Sequence, residues 1–202
     1  MNRTIFLAPL AAAGLLASCA PEERSAAVDP GPSEREAAMK TGREAAGVLK
    51  KALMTQLQAA LEAGGPANAV DVCKVSALPI TESSGANFEG VSVRRTTLRT
   101  RNPENAPDDL DKKVLARFAG SRPDNNPGPV LEWNQTRLRY YEPLYIKELC
   151  LQCHGDPAAF SPDLRELLAA SYPEDKATGY RAGDFRGLIC VETPREGQGD
   201  DE

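Results

Sequence analysis

The residues best suited to chemistry are Cys150-Leu151-Gln152-Cys153-His154, which form a C-x-x-C-H pattern. This pattern is the attachment signature of c-type haem. Two cysteines at this spacing can each form a thioether bond with one vinyl group of the porphyrin, and the following histidine can supply an axial nitrogen to the iron. His154 is the only histidine in the 202 residues, which favours a specific need for it here. The motif predicts one covalent haem c, attached through Cys150 and Cys153, with His154 as an iron ligand.

Two other chemistries use a C-x-x-C pair. A thioredoxin-like redox pair usually opens a helix within a β-α-β unit. A structural zinc site needs four ligands, and the chain has no second C-x-x-C and no histidine pair to complete them. Haem attachment is therefore the favoured interpretation, with a redox pair and half of a zinc site as the alternatives.

The N-terminus resembles an export signal that ends in a lipid attachment site. A short positive start, Met1–Arg3, precedes an apolar run over Ile5–Ala17, which is too short to span a bilayer as a helix. Leu16-Ala17-Ser18-Cys19 resembles a bacterial lipobox, in which cleavage exposes the cysteine to lipidation. The alternatives are an ordinary secretory signal removed together with Cys19, or a helix left uncut. We expect a signal peptide at 1–18 and a lipid on Cys19 that anchors the protein on the periplasmic side of a bacterial membrane.

Composition and charge argue against some classes of partner. The net charge of −5 and the isoelectric point near 5.1 disfavour nucleic acid, and 5% aromatic residues disfavour a platform that stacks single-stranded bases. The mature length suits one domain with a sizeable core. We expect a flexible tether at 19–32, the domain at 33–193, and a disordered tail rich in glycine and acidic residues at 194–202.

A long helix is predicted at the start of the domain, from about Glu34 to Ala63. Ser33 and Glu36 fit a capping box with Ser33 as the N-cap residue, and Gly64-Gly65 should end the helix. An apolar residue recurs every four positions and makes one stripe, which is typical of a packed helix; a dimerisation or signalling helix is the alternative. The stripe comprises Leu49, Leu53, Leu57 and Leu61.

A second helix is predicted from Pro66 to Leu78, since proline suits the first turn. Val70, Cys73 and Ala77 share one face of this helix because they stand at i, i+3 and i+7. Cys73 should therefore point inward among apolar neighbours. Its simplest role is that of a small buried hydrophobic residue.

A basic segment follows a short predicted strand at Val91–Val93. Residues 94–101 contain four arginines, although the protein as a whole is acidic. Arginine can clamp a carboxylate with two hydrogen bonds, so Arg95 and Arg101 are candidates to contact the haem propionates. The alternative is a solvated strand face.

The rest of the domain alternates short helices with strands, which predicts an α+β fold with an antiparallel sheet. Turn-rich segments separate the elements, and Asn134-Gln135 suits a hairpin turn. The predicted helices are Asp108–Phe118 and Ser161 or Pro162 through Ala170, and the predicted strands are Val130–Trp133, Arg137–Tyr141 and Phe185–Glu192.

Two cysteines, Cys73 and Cys190, remain once those of the lipobox and the haem motif are assigned. In an oxidising compartment they can form a disulfide if their Cα atoms come within about 7 Å. Alternatively, Cys73 binds the iron and Cys190 is a buried strand residue. Spacing does not separate these alternatives, and Met39 and Met54 are rival candidates for an iron ligand.

Six patterns, one of which contains the C-x-x-C-H motif, form an ordered set from about Leu49 to Val191. They are Asp71–Cys73, Arg95–Thr97, Arg101–Asp108, Cys150–Gly155, Tyr172–Tyr180 and Gly183–Gly187. In order and content this set resembles the Tll0287-like haem domain family. Cys190 departs from the family's pattern, which has no cysteine in the last strand.

The resemblance implies a PAS-like fold, in which helices flank a small antiparallel sheet. It also implies one covalent haem c with a histidine and a cysteine as axial ligands. His154 takes the histidine role, and Cys73, in the matching Val-Cys, takes the cysteine role in preference to a disulfide. Members of the family occur alone and fused to signalling modules, which points to sensing.

A thiolate ligand should stabilise ferric iron and lower its potential relative to that of a His/Met cytochrome. The bond should weaken on reduction or protonation, because the thiolate rather than the thiol is the ligand. This behaviour fits a redox or small-gas sensor that depends on an unidentified protein partner. A periplasmic electron carrier, which keeps its ligands in both redox states, is the alternative. We expect no enzymatic activity, since iron would occupy the single histidine and no acid–base pair stands out.

Overall fold

The computed structural model of the protein describes residues 28–195, in which helices pack on both faces of a four-stranded sheet. The strands are antiparallel to their neighbours and lie in the order β1-β4-β3-β2. The predicted α+β class, with a long first helix and helices flanking a small antiparallel sheet in the PAS-like manner, is confirmed. The helices are α1 (Pro32–Ser83), α2 (Asp109–Arg117), α3 (Leu151–His154) and α4 (Pro162–Ser171), and the strands are β1 (Ser92–Thr96), β2 (Val130–Trp133), β3 (Arg137–Tyr145) and β4 (Phe185–Pro194).

Helix α1 consists of two arms that meet at a kink. Gly64 and Gly65 have non-helical backbone angles, and Gly65 adopts a φ of +70°, which glycine tolerates because it lacks a Cβ atom. The two helices predicted from the sequence are therefore the first arm (32–63) and the second arm (66–83) of α1.

The start of α1 corrects one prediction. The helix begins at Pro32, with Gly31 as its N-cap residue, because proline suits the first helical position, where its missing N–H leaves no donor unpaired. Ser33 consequently lies inside the first turn, and no side-chain capping hydrogen bond forms. The predicted capping box at Ser33 and Glu36 is wrong.

The second arm of α1 also runs further than predicted. It continues past Leu78 and through Pro79 to Ser83, although an interior proline removes one helical hydrogen bond. Within this last turn, the Thr81 hydroxyl donates to the Ala77 carbonyl oxygen at 2.6 Å.

Strand β4 is one of the two inner strands of the sheet, because it pairs with both β1 and β3. Its side chains alternate between the two faces: Ile189 and Val191 pack against α1, whereas Leu188 and Cys190 pack against α2. Helices covering both faces explain why β4 contains a continuous apolar run.

The first arm of α1 approaches the sheet closely through small side chains. Ala45 and Ala46 are fully buried. Gly42 faces the ring of Tyr140 so closely that a Cβ atom there would lie 2.2 Å from the ring carbon Cγ. Leu49, the first residue of the apolar stripe, packs into the same core cluster. These contacts fix the first arm against one face of the sheet.

Helix α2 brings a buried carboxylate to the other face. Asp111 is fully buried and accepts hydrogen bonds from Arg94 Nη2 at 2.7 Å and from the Tyr141 hydroxyl at 2.8 Å. Burial raises the pKa of Asp111, but the hydrogen bonds from Arg94 and Tyr141 outweigh burial and hold that pKa below its usual value. The buried ion pair joins α2 to β1 and β3.

The predicted terminal segments lie mostly outside the described residues. The signal peptide at 1–18, most of the tether at 19–32, and residues 196–202 of the tail are in this group. Pro194 belongs to β4 instead of starting the tail. Between residues 28 and 195, no helix has both the length and the apolar composition needed to cross a membrane.

Candidate functional site

A cavity of about 280 Å³ lies between the two arms of α1 on one side and α3 with the ends of β1 and β4 on the other. Three leucines of the predicted stripe, Leu53, Leu57 and Leu61, give the first arm an apolar wall. The cavity also gathers every site residue that the sequence predicted within the described part of the chain. These residues are Cys73, Arg95, Arg101, Cys150, Cys153 and His154.

The C-x-x-C-H motif has helical backbone structure. A short 3-10 turn at Glu148–Cys150 leads directly into α3, so Cys150, Cys153 and His154 stand at helical positions i, i+3 and i+4. Residues at this spacing share one side of a helix, and all three line the cavity. The local winding therefore presents two thiols and one imidazole to the same space.

His154 is held in one orientation. Its Nδ1 lies 2.6 Å from the carbonyl oxygen of Ala177, which fixes Nδ1–H as the donor and leaves the Nε2 lone pair free. Burial lowers the pKa of His154 to about 3, and the positive charges of Arg101 and Arg186 act in the same direction. A neutral imidazole whose second nitrogen is hydrogen-bonded to a carbonyl is the form that ligates a metal.

The loop between α4 and β4 clamps the motif from outside. The N–H of Gly179 donates to the Gly155 carbonyl at 2.7 Å, and the N–H of Tyr180 donates to the His154 carbonyl at 3.0 Å. The Tyr180 ring meets the His154 imidazole edge-on, with 6.3 Å between the ring centroids. Backbone and ring contacts thus position His154 together.

Cys73 reaches the cavity from the second arm of α1. It is half-buried, and Val70 and Ala77 line the cavity beside it, as their shared helical face predicted. Burial raises the pKa of the Cys73 thiol, and the nearby positive charge of Arg95 opposes this shift. The thiol therefore faces the space into which His154 also points.

Cys73 and Cys190 are both free thiols, so the disulfide alternative does not form in this structure. Cys190 is fully buried on the face of the sheet that α2 covers, whereas Cys73 lies on α1, which covers the other face. The sheet separates the two sulfur atoms. Among the described residues that line the cavity there is no methionine, so Met39 and Met54 do not reach it.

Arg101 and Arg95 line the same cavity but differ in their partners. Arg101 forms an ion pair with Asp175, with 2.9 Å between Nη2 and Oδ2, and donates to the Cys153 carbonyl at 2.6 Å. This arginine already has a carboxylate, and it holds the motif against the neighbouring loop. Arg95 makes one long hydrogen bond, 3.4 Å from Nη2 to the Ala77 carbonyl, and its buried Nε has no partner. Of the two propionate candidates, only Arg95 is left without an acidic partner.

Arg186 is a cavity residue to which sequence reasoning gave no role. It lies at the start of β4, in the Gly183–Gly187 segment that contributed to the family resemblance. The family resemblance of that segment was the sequence signal that could have identified Arg186 as a site residue. The sequence did not show that its arginine faces the cavity, because strand alternation alone would place Arg186 on the same side as Leu188, under α2.

The side chains of the cavity fit a c-type haem. Two thiols and a neutral imidazole stand at the spacing that covalent attachment requires, and a third thiol faces them from α1. The leucine wall suits the apolar macrocycle, and the cationic side chains suit its two carboxylates. Within residues 28–195, no cluster of three or more His, Cys, Asp or Glu side chains is arranged to hold a bare metal ion.

The fold and the site define a PAS-like α+β domain whose cavity is built around a C-x-x-C-H motif. Residues 26–194 match the Tll0287-like family, and the chain therefore belongs to that family. Among solved structures, the crystal structure of the cyanobacterial haem protein Tll0287 is similar to this chain, with a TM-score of 0.58 and 25% identity. The match covers 84% of this chain and 99% of that one. No curated protein matches the chain.

Proposed function

We propose that this protein binds one haem c in the cavity, with thioether bonds to Cys150 and Cys153 and with His154 and Cys73 as axial iron ligands. The observation that carries the proposal is the convergence of four side chains from two distant parts of the sequence on one cavity. Membership of the Tll0287-like family and the likeness to a solved haem protein support the haem-binding part of the proposal.

The two axial residues have different tasks. His154 is oriented through its hydrogen bond to Ala177 and stays neutral through burial, so it can ligate the iron throughout the physiological pH range. Cys73 would bind as a thiolate and donate electron density, which favours the ferric state. Burial opposes ionisation of the Cys73 thiol. Reduction of the iron, which removes one positive charge, would therefore favour release of Cys73.

The role that these residues support best is that of a redox or small-gas sensor. Bound haem supplies an iron that takes up one electron and, at an open coordination position, a diatomic gas. Cys73 is carried by the second arm of α1, which meets the first arm at the Gly64-Gly65 kink. Release of Cys73 would free the second arm to move about this kink and would pass the change to a protein partner.

A periplasmic electron carrier is the second candidate, and it requires Cys73 to stay bound in both redox states. Neither role is enzymatic.

Absorption spectra of the oxidised and reduced protein distinguish the two roles. For a sensor, the ferric spectrum should be low-spin with thiolate features, and the ferrous spectrum should be high-spin or should respond to added carbon monoxide. For an electron carrier, the ferrous spectrum should stay low-spin and unresponsive to the gas, because both ligands remain in place. The second result would overturn the sensor assignment.

Export and lipid attachment are part of the proposal. Leu16-Ala17-Ser18-Cys19 would direct cleavage before Cys19 and the attachment of a lipid to Cys19, and this lipid would anchor the domain on the periplasmic side of a membrane. Haem attachment of this type agrees with export. Cys19→Ser is expected to stay uncleaved or to lose its lipid. A correctly cleaved Cys19→Ser protein that remains on membranes after high-salt washing would contradict the anchor.

A further inference from the structure

Two guanidinium groups line the cavity with no carboxylate at ion-pair distance from either. Arg95 comes from β1 and Arg186 from β4, and within residues 28–195 neither forms an ion pair. Arg186 Nη1 donates to the Thr97 hydroxyl and to the Arg99 carbonyl, both at 3.1 Å, while the buried Nε of Arg95 has no hydrogen-bond partner. Partly buried cations with neutral partners are costly unless an anion joins them.

Two other arginines of the same basic segment are balanced by acids, and the fourth, Arg99, donates to the carbonyl oxygens of Lys176 and Thr178. Arg94 contacts Asp111, and Arg101 pairs with Asp175. Of these four arginines, only Arg95 has both a position on the cavity and a buried guanidinium nitrogen without a partner in the described part of the chain. Burial lowers the pKa of Arg95, and the positive charge of Arg186 acts in the same direction.

A break in strand pairing accounts for the position of Arg186. Leu144 of β3 pairs with Gly187 of β4, but the next residue, Tyr145, pairs with Phe185, so Arg186 is the extra residue of a β-bulge. A bulge redirects a side chain away from the face that regular alternation would give it. Arg186 thereby lines the cavity that Arg95, on the α1 face with Val93, also reaches.

We propose that Arg95 and Arg186 together bind the two propionate carboxylates of the haem, and that Arg101 does not. The inference rests on the proposed function, since it needs haem in this cavity. Two propionates carry two negative charges, which would balance both guanidinium groups and supply the acceptor that Arg95 Nε lacks. Arg101 keeps Asp175 as its partner and positions the C-x-x-C-H motif instead.

Resonance Raman spectra and redox titrations of the full-length holoprotein test this assignment. Arg95→Gln and Arg186→Gln should each shift the haem propionate bending bands. Each should also lower the midpoint potential, because loss of a nearby positive charge stabilises ferric iron. Arg122→Gln is the matched control: this arginine pairs with Asp184 at 3.0 Å outside the cavity, and its substitution should leave the propionate bands unchanged.

Lysine variants keep the test decisive if a glutamine variant does not fold. Arg186→Lys and Arg95→Lys retain the charge but lose the two-pronged donor, so the potential should stay near that of the wild type while the propionate bands still shift. Propionate bands that match those of the wild type in the variants of either arginine, in a protein with covalent haem and a normal ferric spectrum, would overturn this inference alone. Absence of covalent haem from the wild-type protein would instead overturn the proposed function.

Discussion

Replacing Cys73 by serine is expected to raise the midpoint potential of the haem and to remove the thiolate features of the ferric spectrum. A serine hydroxyl does not ionise near neutral pH and donates far less electron density than a thiolate, so the ferric state loses its preferred ligand. Axial ligands set haem potentials over a range of about 0.8 V, and an increase on the order of 100 mV or more is expected. A redox titration followed by absorption spectroscopy measures both effects.

Cys190→Ala is the matched control for Cys73→Ser. Cys190 is fully buried in the core on the opposite face of the sheet, away from the cavity. Its substitution removes one sulfur atom from the core and should change neither the potential nor the ferric spectrum. If Cys73→Ser has the spectrum and potential of the wild type, Cys73 is not an iron ligand, and the case for a redox-gated sensor fails with it.

Asp111→Asn is expected to lower the free energy of unfolding by about 2 to 3 kcal/mol. The carboxylate is fully buried and accepts hydrogen bonds from Arg94 and Tyr141, and an amide group replaces one of its acceptor oxygens with a donor. Arg94 retains Glu192 at 3.4 Å as a second acidic partner, which keeps the loss below that of a fully uncompensated charge. Denaturant unfolding of the wild type and the variant gives the difference.

Asp109→Asn provides the comparison on the same helix. The Asp109 side chain is 93% exposed and pairs with Lys112, so its substitution should leave the stability almost unchanged. The stability difference due to Asp111 should also depend on pH. Its pKa is depressed in the folded protein, so its contribution is present above the unfolded-state pKa of about 4 and disappears as the pH falls through the folded-state value. Equal stabilities for the wild type and Asp111→Asn at pH 7 would contradict this account.

Local signals predicted much of the fold. The bounds of β2 agree with the prediction, α2 is one residue shorter than predicted at each end, and α4 ends one residue later than predicted. Turn and capping residues mark these elements directly: Asp108 caps α2, and the Ser161 hydroxyl accepts from the Leu164 N–H at the start of α4. The start of α1 was misplaced because Ser33 and Pro32 are both starting signals, and proline prevailed.

The parts of the site that have local sequence signals were predictable, and the parts that depend on tertiary contacts were not. Cys150, Cys153 and His154 share one motif, and helical periodicity placed Cys73 on an inward face. Periodicity did not reveal which cavity that face borders, and the family resemblance supplied the iron-ligand role. The position of Arg186 depends on a bulge, and the acidic partner of Arg101 lies in a distant loop. Both are tertiary features that sequence spacing does not encode.

The central claim is that haem is bound covalently in this cavity. The mass of the denatured protein tests this claim most directly. The wild-type protein, expressed with export and haem attachment intact, should retain the mass of one haem after denaturation and should stain for haem on a denaturing gel. A variant with Cys150→Ala and Cys153→Ala should lose both signals, because no thioether bond can form. A wild-type protein whose denatured mass equals that of the polypeptide and any lipid alone would contradict the account.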